Sequence, residues 1–251
     1  IAVVYRFFEL FDLPNIPQYE LILYAAKKGW VAITPPLKSY LEEKLLFALF
    51  YHPMLADFWR QDLGEEVCAR LQRIFPPTWI LDPRPLPPHA TVPGLQIASR
   101  PMQSWDQLHG LTQKERQLVI KPSGFDARAW GSRGVVIGHD VSAEVWEAAV
   151  QDALRQFPRT RHILQPFYHV TRSDVWHYDF GRDDAVLLEG RARINPFYLV
   201  TGENEVHLAG VLATVCPPDK KLIHGMADAV MAPGAIRMGN TPLPFREGAR
   251  G

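Results

Sequence analysis

Residues 75–94 contain seven prolines, at 76, 77, 83, 85, 87, 88 and 93. Proline lacks an amide hydrogen and has a fixed φ, so neither a helix interior nor a central strand can run through this stretch. It predicts an extended connector or surface crossover and marks the best boundary in the chain. Two portions are expected on that basis, 1–95 and 96–251. Trp79, Ile80 and Leu81 form an apolar island in the connector and are expected to pack rather than float.

On the N-terminal side, residues 1–5 read as a buried strand. Residues 18–28 read as a helix with basic residues in its last turn and Gly29 as its stop. Residues 30–33 read as a short strand. Leu41, Leu45, Ala48 and Leu49 recur at helical spacing and predict a helix over 38–51. A further helix is expected over 61–74. Beyond the connector, residues 104–115 read as helical. A strand is expected at 118–120, then a glycine-bearing loop, then a strand at 134–137. Ser142 is placed to cap a helix that runs to about Phe157, with Glu144 and Glu147 in the first turn. Residues 162–166 form a strand, and 185–200 and 205–216 pair as a hairpin. The last twenty residues, 232–251, read as loop or tail.

The 251 residues carry 27 Lys+Arg against 27 Asp+Glu, for a net charge of zero. That balance argues against a broad nucleic-acid or anionic-membrane binder, while leaving room for a local basic patch. The two cysteines, Cys68 and Cys216, give no disulfide framework and no zinc spacing, so a reducing, cytoplasmic setting is expected. No apolar run approaches the roughly 20 residues of a membrane span. The chain opens at Ile1 without Met, already in a strand-like run, which predicts that it is part of a longer polypeptide.

The most informative segment is Leu118-Val-Ile-Lys-Pro-Ser-Gly-Phe-Asp-Ala-Arg-Ala-Trp-Gly-Ser-Arg-Gly-Val135. A strand delivers Lys121 at its end, and a loop with Gly124, Gly131 and Gly134 returns into a second strand. Glycines let backbone approach a ligand closely, and successive peptide N–H groups can cradle phosphate oxygens. Lys121 supplies a point charge for the same oxygens, and Arg128 and Arg133 add more. No Gly-Lys-Ser/Thr follows the glycines, so this is not a Walker A loop. A mobile hairpin with exposed basic residues fits the same pattern. Upstream, Thr34-Pro-Pro-Leu-Lys38-Ser-Tyr-Leu-Glu-Glu-Lys44 puts Lys38 and Lys44 on different helix faces, so one can enter a cleft while the other stays solvated. Strand 162–166, continuing to Phe167, can offer backbone groups to the edge of a flat base, or can simply be an edge strand. Period-2 alternation puts Glu189, Arg191, Arg193 and Asn195 on one strand face, which lines either a site or water. The histidines form no metal motif. Asp174, Asp179, Asp183 and Asp184 could supply Mg²⁺ ligands but read better as a surface loop.

Together the lysine segment, leading on to His52-Pro53, and the Lys121-to-Gly134 loop resemble the ATP-grasp superfamily. The resemblance is closest to its circularly permuted branch, which includes the synthetase part of glutathionylspermidine synthase. That branch has a Pro-Pro-x-Lys-x5-Lys helix followed by a Lys-Pro strand and a glycine-rich loop, in this order. The resemblance covers roughly 1–215. It implies an α+β, ATP-grasp-like fold with mixed or antiparallel sheets and packed helices. It implies ATP and Mg²⁺ as cofactors, and small-molecule or peptide carboxylate and amine substrates, with no nucleic acid and no membrane. Lys44 and Lys121 would bind the phosphates. The loop bearing Ser123, Gly124, Gly131, Ser132 and Gly134 would close over them. Gln165 to Phe167 would hold the adenine edge. Arg191 and Arg193 would face the transferring phosphoryl group or the substrate carboxylate. The branch's Glu-x-Asn metal motif precedes these segments, and none stands upstream of Lys121 here. The metal residues are therefore expected in a preceding segment, or the site is degenerate. Three functions follow: an ATP-dependent carboxylate–amine ligase working through an acyl phosphate, a non-catalytic nucleotide-binding or assembly module, and an ATP-dependent phosphotransferase.

Overall fold

The computed structural model describes residues 1–123, 126, 128–129, 131–202, 205–220, 223 and 228–234. The fold is mixed α+β, with antiparallel sheets and packed helices. The chain forms two compact units, Ile1–Tyr168 and His169–Gly251. The proline-rich stretch lies within the first of them.

The first unit opens with β1 (Val3–Tyr5), α1 (Tyr19–Lys27) and β2 (Ala32–Thr34). β1 and β2 pair in parallel, and α1 belongs to the crossover that a parallel pair requires. The expected burial of the first strand does not hold: Val3 and Tyr5 keep 57% and 51% of their surface exposed, because this sheet has only two strands.

The helix expected over 38–51 is interrupted. A single 3-10 turn covers Ser39–Glu42, Glu43 is extended, and α2 occupies Leu45–Tyr51. The helix expected over 61–74 is two helices, α3 (Ala56–Leu63) and α4 (Glu65–Ile74). They meet at Gly64, whose φ of +80° is open to glycine at no steric cost. Edge-on aromatic contacts, Phe47 to Phe75 at 4.9 Å and Phe50 to Phe75 at 5.4 Å, tie α2 to the chain after α4.

Next come β3 (Trp79–Ile80), β4 (Gln96–Ile97), β5 (Arg100–Pro101), β6 (Leu118–Pro122), β7 (Val136–Ile137), α5 (Ala143–Gln156) and β8 (His162–Pro166). The main sheet runs β3-β8-β6-β7 with antiparallel neighbours throughout. The connector packs as its apolar island predicts, with Leu81, Val92 and Leu95 in the core. The helix expected over 104–115 shrinks to one 3-10 turn, Trp105–Leu108, held by a capping box between Ser104 and Gln107. The chain then turns at Gly110, where φ is +71°.

α5 begins at the expected cap, with Val145 N donating to Ser142 Oγ at 3.3 Å. Its Trp146, Val150 and Ala153 recur at helical spacing and meet Leu118 and Ile120 of β6 and Leu164 of β8. Those sheet residues point to the α5 side. By alternation, Val119, Lys121 and Gln165 point to the other side. Buried Arg116 braces the far end of this core by donating to the carbonyls of Gly138, Leu111 and Val141 at 2.8–2.9 Å. Gly138 has no room for a side chain: a Cβ there would lie 2.6 Å from the Arg116 carbonyl and 3.1 Å from the Trp146 ring.

The second unit is an antiparallel sheet in the order β12-β11-β10-β9, made of β9 (Arg172–Asp179), β10 (Asp184–Thr201), β11 (Glu205–Cys216) and β12 (Val230–Pro233). The β10–β11 hairpin agrees with the expected one. The acidic stretch read as a surface loop is mostly strand: Asp174 and Asp179 belong to β9 and Asp184 starts β10. The polar side chains of β9 mask a strand because both faces of that edge are open to water (burial alternates only between exposed and half-buried). The turn residues Glu203 and Asn204, and the tail from 235, lie outside the described residues. No helix among the described residues is long and apolar enough to cross a membrane.

Candidate functional site

Lys44 reaches the main sheet because the segment before it is pinned. Arg6, buried just after β1, donates to the carbonyl of Phe8 at 2.6 Å and that of Pro35 at 2.9 Å, and pairs with Glu42. The other Glu42 oxygen accepts from Leu10 N at 2.8 Å. This clamp holds Thr34-Pro-Pro-Leu-Lys38 and the following turn against the N-terminal strand. Lys38 lies over the ring of Tyr40, 5.9 Å from its centroid. Lys44, at the start of α2, instead reaches the loop after β6 and donates to Ala129 O at 3.3 Å.

Lys121 comes from β6, on the face opposite α5. Its Nζ donates to Gln165 Oε1 at 2.7 Å, and Gln165 Nε2 donates to Thr78 Oγ1 at 2.8 Å. Gln165 is buried and both ends of its amide are engaged, so its side chain orients the ammonium. Ser123, two residues on, donates to Glu43. Glu43 also accepts from Leu45 N at 3.0 Å, so a single carboxylate caps α2 and ties it to the end of β6. That link brings Lys44 and Lys121 into one neighbourhood.

The electrostatics follow from this geometry. Burial pulls the Lys121 ammonium below the ordinary lysine range, and the charge of Lys44 pulls it further. Burial also lowers Lys44, opposed by the carboxylates of Glu43 and Glu9. Two partly desolvated ammonium groups repel one another here, and Glu43 and Glu9 offset part of the charge of Lys44. An anion with several oxygens is the natural complement of the two ammonium groups.

The loop between β6 and β7 meets this site where Ala129 O accepts from Lys44. Gly131 and Ser132 both have positive φ, at 59° and 60°. Gly134 N donates to Arg128 O at 2.9 Å. Gly134 sits so close to Pro122 that a Cβ would lie 2.6 Å from its ring. Gly124 lies outside the described residues. Arg128 does not join the lysines. It pairs with Asp126 at 3.0 Å and donates to Gln156 of α5 at 2.8 Å, and its hydrogen bond and charge hold the Asp126 carboxyl down at about 2. Arg133 is exposed. Phe167 leaves β8 with its amide donating to Gln117 O at 2.9 Å, and its ring meets His139 edge-on at 4.6 Å.

At the β3 edge of the main sheet lies a groove of about 450 Å³ that Thr78 lines and neither lysine does; Trp79, which stands opposite Leu164, belongs to the α5 side. Trp79, Trp105 and Tyr51 form its apolar walls, with Asp82 and Arg84 at a polar edge. The two indole N–H groups are occupied by backbone carbonyls, at 2.7 Å for Trp79 and 2.8 Å for Trp105. These bonds fix the ring orientations and leave flat apolar surface facing the groove. Thr78 belongs to both the groove and the chain of hydrogen bonds that ends at Lys121.

No protein-family model, no curated protein and no solved structure matches this chain.

Arg191 and Arg193 lie on β10 in the second unit, two residues apart and so on one face of the sheet. Among the described residues no group of three or more His, Cys, Asp or Glu is placed to hold a metal ion. The residues that sequence reasoning missed are Arg6, Glu43 and Thr78. Each acts through a partner 29 to 87 positions away. Only the acidic pair Glu42-Glu43 beside Lys44 hinted at such a role.

Proposed function

We propose that this chain is the nucleotide-binding portion of an ATP-dependent carboxylate–amine ligase of ATP-grasp type. The observation that carries the reading is the proximity of Lys44 to Lys121, two partly buried ammonium groups from distant segments, the first of which donates to Ala129 O of the glycine-bearing segment. The Lys38-to-Lys44 spacing, and the order of that segment and the Lys121 loop, are those of the permuted branch that the chain resembles. Lys44 and Lys121 neutralise the triphosphate, Gln165 orients Lys121, and the loop from Ser123 to Gly134 excludes water from the reacting phosphate.

In this chemistry a carboxylate oxygen attacks the γ-phosphorus of ATP and the bond to the β-phosphate oxygen breaks, releasing ADP. An amine then attacks the acyl phosphate carbon, phosphate leaves, and the amine loses a proton. Mg²⁺ supplies charge neutralisation on the triphosphate when bound. The described residues offer no three-ligand cluster of their own for it, and no step is assigned to a protein-held metal.

Hydroxylamine serves as a small amine trap for the acyl phosphate. With Mg-ATP, a mixture of amino acids and hydroxylamine, the expected product is a hydroxamate formed in step with ADP. ADP release without hydroxamate, across carboxylic acids of varied size, contradicts the ligase reading and favours a phosphotransferase.

A further inference from the structure

Residues 81–95 join β3 to β4 without helix or strand, and a connection of that length inside a compact unit is uncommon unless it carries a function. Both ends are anchored. Leu81 N donates to His162 O at 3.0 Å and Val92 N to Met102 O at 2.7 Å, and both side chains lie in the core. Between them Pro83 to His89 is exposed. Four prolines restrict the backbone of that span, and Ala90 N closes a turn on Pro87 O at 3.0 Å. The segment is a stiff strap. With Tyr51 and His52 at the end of α2 it lines the groove of about 450 Å³, a volume suited to a small molecule.

The walls are set before any ligand arrives. Trp79 and Trp105 are half-buried and pack against the core of the first unit. Their N–H groups hold the two ends of the strap, at Pro93 O and Asp82 O. Neither ring can turn without breaking such a bond, so a flat ring can stack there at little cost in entropy.

The polar groups of the lining choose the charge. Both oxygens of Asp82 accept from Arg84 Nε, at 2.9 and 3.0 Å, and Arg84 Nη2 completes the fork. These bonds hold the Asp82 carboxyl below the usual range, and the charge of Arg161 acts in the same sense. The carboxylate is thus already committed, and what remains is donors. Arg84 Nη1 has no acceptor among the described residues. His52 Nδ1 accepts from Met54 N at 3.2 Å, so the neutral ring carries its proton on Nε2, which has no acceptor there either. A cation is drawn to aromatic faces elsewhere, but here it meets Arg84 and finds no free carboxylate in the lining.

We propose that this groove binds a planar aromatic anion. The ring lies on the indole faces, and the anionic oxygens accept from Arg84 and His52. Neither lysine lines the groove, so this site and the nucleotide reading can fail separately.

The test titrates 2-naphthoate into the full chain and follows the tryptophan indole N–H signals by NMR, with 2-naphthylmethylammonium, adenosine and a tetraproline peptide as comparisons. The Trp79 and Trp105 signals are expected to shift together and saturably, while that of Trp176 in the second unit stays. 2-Naphthoate should bind at least about tenfold more tightly than the ammonium compound. Arg84→Gln should remove that preference. Leu86→Asp, which puts a negative charge in the strap, should weaken 2-naphthoate at least about tenfold. Arg84 is 81% and Leu86 37% exposed, so both variants should keep the fold, read from an unchanged Trp146 signal. The proposal is overturned if 2-naphthoate does not move the two signals, or if both variants bind it as the parent does. Tighter binding of the ammonium compound, adenosine or tetraproline at the same indoles also overturns it.

Discussion

Trp146→Ala is expected to lower the unfolding free energy of the first unit by about 3–5 kcal/mol, read from urea denaturation midpoints. Trp146 is wholly buried on α5 and lies at the centre of the cluster that joins that helix to β6 and β8. Truncation removes the largest fully buried side chain among the described residues and leaves a cavity that neighbouring Gly138 cannot fill. It also strands the Leu108 carbonyl, which accepts from the indole at 2.9 Å. Trp146→Phe keeps much of the volume and loses only that hydrogen bond and the second ring, so a smaller loss, about 1–2 kcal/mol, is expected. A loss under about 1 kcal/mol in the alanine variant would mean that the α5 face is not the core of this unit.

Lys121→Ala should weaken Mg-ATP binding at least about tenfold, the value of a hydrogen bond to a charged group. The ammonium stands on a chain of hydrogen bonds through Gln165 to Thr78, so its position is set before any ligand arrives. Its burial adds a pH signature. The folded-state pKa lies below the unfolded value, so between the two the unfolded chain holds more protons and stability rises with pH. Triphosphate affinity should fall over the same interval, as the ammonium loses its charge. Opposite trends of stability and affinity above neutral pH, both removed in Lys121→Ala, are the expected result. Parallel trends would show that the titrating group does not touch the ligand.

The local parts of this fold were legible in the sequence. Ser142 could be recognised as a cap, β6 and β8 as short apolar strands, and β10 with β11 as a hairpin, because each signal lies within a few residues of its consequence. The failures occurred where a distant partner decided the matter. The helix expected over 38–51 breaks at Glu43 because its carboxylate is shared between Leu45 and Ser123, and the second of these lies 80 positions away. The helix expected over 104–115 gives way after Leu108, where Trp105 is committed to Asp82 O and Trp146 to Leu108 O. The same holds for the candidate site. Lys44, Lys121 and the glycine loop could be picked out by residue type and order. That the Gln165 side chain braces Lys121 has no local signal, since the two lie 44 positions apart. Arg128 was read as a phosphate ligand, but its charge is taken by Asp126, only two residues away. Thr78 carried no signal and Glu43 only its place beside Lys44, because their value lies in what they touch.

On the function proposed here, Lys44 and Lys121 together hold a triphosphate. The most direct measurement is calorimetric titration of Mg-ATP, Mg-ADP and AMP into the full chain at neutral pH. Saturable binding is expected, strongest for ATP and at least about tenfold weaker for AMP, because only the longer phosphate chain engages both ammonium groups. Equal affinity for the three nucleotides, or no binding of Mg-ATP, would contradict the account.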